Sequence, residues 1–209
     1  MDEEIPYEEK IATDKLSVKE LLDLVSEGDG KALEIVLKKD TLYLPVLIAA
    51  AKAGSIIFAT RLPIPELNDK EKKQLLLASL SGGDYPTLKY YQRALNKKVF
   101  DYTIPVWVLR GIQKSLLYRA NILSIYKIIA LLPDSCMKHL AKHSFGLTSE
   151  LALLILDKDN SLSNYRNIIY NNLGNLELLL TILPLYKEKK LKTTLEAQEN
   201  YFPLGWNNL

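Results

Sequence analysis

The sequence predicts an all-α chain, a solenoid of about six antiparallel helical hairpins. Three observations predict it. Short turns built on small or polar residues recur near positions 28, 54, 83, 120, 146 and 174, spaced by 26, 29, 37, 26 and 28 residues. Each turn is flanked by segments whose apolar residues return at helical spacing. No segment alternates with period two for long enough to build a sheet.

The elements follow in order. Residues 1–16 are acidic, with Asp2, Glu3, Glu4, Glu8 and Glu9, and read as an arm ahead of the array. Ser17 is an N-cap with Glu20 three residues on, the signature of a capping box, and Leu21, Leu22, Leu24 and Val25 follow. Gly28-Asp29-Gly30 ends that helix, and a return helix is expected over Lys31–Lys39. The two-stroke pattern then repeats. Leu44–Ala53 is followed by a turn at Gly54-Ser55 and the return Ile56–Leu62, which Pro63 and Pro65 break. Lys70–Ser81, a turn at Gly82-Gly83-Asp84 and Tyr85–Leu95 form the next pair. Lys97-Lys98-Val99-Phe100-Asp101-Tyr102 is the one stretch allowed an extended conformation. Ile104–Tyr118 is entered through Pro105, turns at Arg119–Asn121 and returns as Ile122–Leu132. Asp134–His143 with Thr148–Leu156, and Ser161–Asn172 with Leu176–Lys189, complete six pairs over residues 17–189. Residues 190–209 read as a tail. Its aromatic end, Tyr201-Phe202-Pro203-Leu204-Gly205-Trp206, either caps the last hairpin or docks to another chain; terminal repeats must shield an open apolar face, which favours the cap.

Leu47, Ala50, Ala51 and Gly54 fall where the ankyrin repeat places its first-helix leucine, its alanine pair and its turn glycine. Gly83–Tyr91 and Gly174–Leu183 resemble the turn and second helix of the same repeat. The likeness spans residues 17–186, without the Thr-Pro-Leu-His tetrapeptide of the family. Such eroded repeats are similar to those of the ankyrin-like proteins of large DNA viruses. The resemblance implies an adaptor or host-interaction role and no catalysis.

Composition bounds the function classes. An apolar fraction of 48% and a charged fraction of 25% are those of a folded protein. The net charge of +2 argues against a dedicated nucleic-acid binder. Cys136 is the only cysteine, so no intrachain disulfide forms, and an intracellular, cytoplasmic setting is expected. No apolar run reaches the ~20 residues of a membrane helix.

Few residues offer chemistry. Cys136, His139 and His143 share a helix face at spacings that suit zinc, but nothing completes a four-ligand site, so neither metal nor cofactor is expected. Gly28-Asp29-Gly30 and Gly82-Gly83 follow no strand and do not carry the lysine and hydroxyl residue of a phosphate loop. The expected function is a non-catalytic protein-binding scaffold; the alternative is a structural subunit of a larger assembly. In a stack of hairpins the loops between repeats stay free for partners. The binding residues expected there are Tyr43, Lys97, Lys98 and Tyr102.

Overall fold

The computed structural model describes residues 16–39, 43–118 and 122–201; of residues 117, 118 and 195–201 it describes the backbone alone. Among the described residues every regular element is helical. The α-helices are α1 (Val18–Glu27), α2 (Gly30–Lys38), α3 (Tyr43–Lys52), α4 (Ile56–Arg61), α5 (Asp69–Ser81) and α6 (Tyr85–Leu95). They continue with α7 (Val106–Tyr118), α8 (Ile122–Leu131), α9 (Met137–Lys142), α10 (Ser149–Lys158), α11 (Leu162–Asn171) and α12 (Leu176–Tyr201). Single 3-10 turns stand at Val99–Asp101 and Asp134–Cys136.

Local chemistry sets these boundaries. Ser17 and Glu20 close the capping box at α1, and Asn68 with Glu71 closes a second at α5. Asp29, Ser55, Asp84 and Thr148 each accept a backbone N–H in the first turn of the helix they precede. Asn96 ends α6 in the left-handed conformation, with φ 49°. Three expectations need correcting. Gly30 is the first residue of α2 rather than part of the turn, because Asp29 already supplies the cap. Tyr43 opens α3 rather than lying in a loop. The last helix runs past residue 189 to Tyr201, because the intervening stretch holds neither Gly nor Pro and its Lys and Glu residues favour helix. The expected turn at Arg119–Asn121 and residues 202–209 of the aromatic tail lie outside the described residues.

Contacts divide the chain into two units, residues 1–131 and 132–209. In the first, α1 packs on α3, α3 on α5 and α5 on α7, while α4 packs on α6 and α6 on α8. First helices thus form one row, and the return helices α4, α6 and α8 form another. In the second unit α9 packs on α11 and α10 on α12.

Small residues let the first row close up. Ala50 and Ala51 of α3, and Ala78 and Ser79 of α5, are fully buried. A Cβ on Gly82 would lie 2.7 Å from the Ala51 carbonyl oxygen, so the turn after α5 is in backbone contact with the hairpin before it. Gly111, in the middle of α7, serves the same purpose: a Cβ there would lie 2.6 Å from the Ser81 carbonyl oxygen. Leu75, Leu76 and Leu80 of α5 and Leu88 and Tyr91 of α6 fill the space between the rows. Burying each such side chain contributes about 1.5–3 kcal/mol.

Side-chain hydrogen bonds tie successive turns together. Ser115 Oγ donates to the Gly82 carbonyl at 2.9 Å, and the Tyr85 amide donates to Ser124 Oγ at 3.2 Å. In the second unit asparagines take this role. Asn172 Nδ2 donates to the Ser144 and Ile168 carbonyls at 2.6 and 2.9 Å, and its Oδ1 accepts the Leu147 amide at 3.3 Å. Asn175 Nδ2 donates to the Leu147 carbonyl at 3.2 Å while its Oδ1 caps α12.

Candidate functional site

Lys97, Lys98 and Tyr102 lie between α6 and α7 and Tyr43 opens α3, and the structure gives three of these four expected binding residues a defined partner. Tyr43, at the start of α3, donates its hydroxyl to the Pro63 carbonyl at 2.6 Å. Burial pushes its phenol pKa up, and the neighbouring Tyr90 adds to that shift. Lys97 Nζ lies 3.5 Å from Asp69 Oδ1 at the start of α5, in an exposed pair worth at most about 1 kcal/mol. One turn along α5, Lys73 Nζ sits 5.6 Å from the centroid of the Tyr102 ring. Lys97 and Tyr102 are therefore held against the same end of α5, whereas Tyr43 is fastened to the 63–68 loop. Lys98 is exposed.

The loop that carries Lys97 and Tyr102 is shaped rather than extended. The Lys97 amide donates to the Gln92 carbonyl at 3.2 Å, and Val99, fully buried, donates its amide to Gln92 Oε1 at 3.0 Å. The 3-10 turn at Val99–Asp101 replaces the extended stretch expected there, because burying Val99 pulls the backbone into a turn.

Sequence reasoning missed a second feature on the return row. A groove of about 610 Å³ runs between α4 and α6, lined by Ile56, Pro86, Lys89, Tyr90, Arg93 and Ala94. Helix α4 has six residues against eleven in α6, so α6 outruns it by roughly 7 Å and leaves a flank uncovered. Tyr90 forms the wall, its ring edge-on to Tyr91 with centroids 5.3 Å apart. Lys89 and Lys127 both lie over the Tyr85 ring, at 5.9 and 5.5 Å. The sequence holds a signal for this face. Segments 56–61, 85–95 and 122–131 contain Arg61, Lys89, Arg93 and Lys127 but no Asp or Glu.

In the second unit, Cys136 is buried in the 3-10 turn, and burial pushes its thiol pKa up, so the thiolate a nucleophile needs is disfavoured. The rings of His139 and His143 stand 4.8 Å apart. Cys136 precedes α9 and His143 follows it, so the three do not share one α-helix as the spacing predicts. Asp134 pairs with Lys158 at 3.3 Å. Among the described residues no three His, Cys, Asp or Glu side chains are grouped as a metal site requires, and no helix is long and apolar enough to cross a membrane.

Compared with protein-family models, with curated proteins and with solved structures, the chain matches none.

Proposed function

We propose that the protein is a non-catalytic protein-interaction scaffold, a solenoid of ankyrin-like hairpins that offers its inter-hairpin loops and its return-helix face to a partner. The observation that carries this reading is the two-row packing of the first unit, in which α1, α3, α5 and α7 stack on one another and α4, α6 and α8 stack beside them. Hairpins that consume one face in stacking leave loops and one helix row for recognition. Lys97 and Tyr102, held against α5, and Tyr43, bonded to the 63–68 loop, are already ordered by intramolecular contacts, which lowers the entropic cost of presenting them. The test is selection from a library of folded domains on the immobilised full chain. Selected domains are expected to bind saturably and to weaken at least tenfold toward Tyr43→Ala or Tyr102→Ala, as truncating an anchor that contributes about 2 kcal/mol requires. Equal affinity in both variants removes the loop assignment.

One observation favours a second reading, a structural subunit of a larger assembly. Helix α12 leaves Leu176, Leu180 and Leu191 62–69% exposed over a length of about 22 Å. Sedimentation of the purified protein separates the two, since a monomer supports the adaptor and concentration-dependent growth supports the subunit.

A further inference from the structure

Three return helices of the first unit, α4, α6 and α8, carry charge of a single sign. Helices α4, α6 and α8 contribute Arg61, Lys89, Arg93 and Lys127, and no carboxylate lies on any of them. Asp84, the acid that immediately precedes α6 in sequence, is engaged at its N-terminus, where it accepts from the Thr87 amide and hydroxyl at 2.9 and 2.6 Å and from Ser124 Oγ at 3.3 Å. Apolar side chains stand exposed beside these cations: Ile56 and Ile57 on α4, and Ile122, Leu123 and Tyr126 on α8. The groove between α4 and α6 runs through this surface with Lys89 and Arg93 among its lining residues and Ile56, Pro86 and Tyr90 beside them.

Two kinds of anionic partner would answer such a surface. A nucleic acid needs many phosphate contacts, and four cations across three helices supply few. Its backbone would also leave Ile56, Ile57, Ile122 and Leu123 uncovered. An acidic polypeptide segment with interspersed aliphatic residues satisfies both chemistries at once, setting carboxylates on the cations and apolar side chains in the groove. We propose that the α4–α6 groove docks such a segment of a partner protein, with Lys89 and Arg93 holding its carboxylates and Ile56, Pro86 and Tyr90 its aliphatic side chains. This assignment rests on the scaffold reading above and gives the scaffold a ligand class. Planar Arg93 can pair with a carboxylate bidentately, whereas Lys89 acts as a point charge, so charge reversal at both sites converts attraction into repulsion.

A library of linear peptides selected on the immobilised full chain tests the proposal. Enriched peptides are expected to place Asp or Glu beside Leu, Ile, Val or Phe. A synthetic representative is expected to lose at least tenfold in affinity toward Lys89→Glu/Arg93→Glu, a variant confined to exposed positions. Replacing the peptide's acids with Lys should restore binding to that variant and abolish it for the wild type, a reciprocal swap that misfolding cannot produce. The same peptide should bind Tyr102→Ala normally. The proposal is overturned if nothing acidic is enriched or if charge reversal leaves affinity unchanged. It is equally overturned if phosphatidylserine vesicles or a single-stranded oligonucleotide bind and displace the peptide. Peptides that respond only to the loop variants would remove the groove while leaving the scaffold reading in place.

Discussion

Tyr91 is among the largest side chains sealed within the first unit, fully buried, and its hydroxyl has no hydrogen-bond partner among the described residues. A buried donor left unpaired costs about 1–3 kcal/mol. Tyr91→Phe is therefore expected to stabilise the protein near neutrality by about 1 kcal/mol, read from urea midpoints. A loss of stability in that variant would mean the hydroxyl is satisfied after all. Burial, then Tyr90 and Tyr43, push the phenol pKa well above its ordinary 10.0. A pKa raised on folding gives stability that is complete below the unfolded value and is lost as pH rises past it. The wild type should therefore weaken above about pH 10 more steeply than Tyr91→Phe. Tyr186 goes the other way. The hydrogen bond from Arg166 Nε, 3.2 Å long, lowers its pKa. Arg166→Met should move its ultraviolet titration back toward that of free tyrosine, and an unmoved curve would deny the bond.

Turns and helix faces obey steric rules that sequence shows only in part. Gly83 holds φ 72°, and a Cβ there would lie 2.5 Å from Ser115 Cβ. Gly83→Ala is expected to destabilise by about 2 kcal/mol or more. Gly174, legible as the same kind of turn residue, differs: it does not hold a positive φ, and a Cβ would meet nothing within 4 Å. Asn172 and Asn175 fix that turn instead, so Gly174→Ala should change stability by less than about 0.5 kcal/mol, whereas Asn172→Ala should cost about 2. Gly111→Ala reverses a common rule. Alanine raises helix propensity by about 1 kcal/mol, but contact with Ser81 makes the substitution destabilising. Thermal melts of the four variants check this order. The positions of the helices were legible because caps and 3.6-residue apolar spacing are local, as at Ser17, Asn68 and Asp84. Gly111 was not, because only the helix packed across from it makes a side chain intolerable there. The groove escaped for a related reason. Tyr90 and Tyr91 are adjacent in sequence and both suit a helix core, yet only Tyr91 is buried while Tyr90 lines an opening that depends on how short α4 is.

At the scale of the molecule, the proposals assign recognition to two parts of the first unit that differ in chemistry. The proposed loop residues fall in two places: Lys97 and Tyr102 meet α5, whereas Tyr43 is fastened to the Pro63 carbonyl. The return face combines four cations with exposed aliphatic side chains. The one cysteine, Cys136, is buried, and burial raises its thiol pKa, which disfavours the thiolate. The scaffold reading predicts that the ligand is held without being changed. The measurement that reaches this claim most directly is calorimetric titration of the full chain with a ligand domain selected on it, with the ligand's mass recorded before and after. Saturable binding, an unchanged ligand mass and at least a tenfold loss of affinity in Tyr43→Ala or Tyr102→Ala are the predicted results. A ligand returned cleaved or modified, or affinity untouched by both loop variants and by Lys89→Glu/Arg93→Glu, would contradict the account.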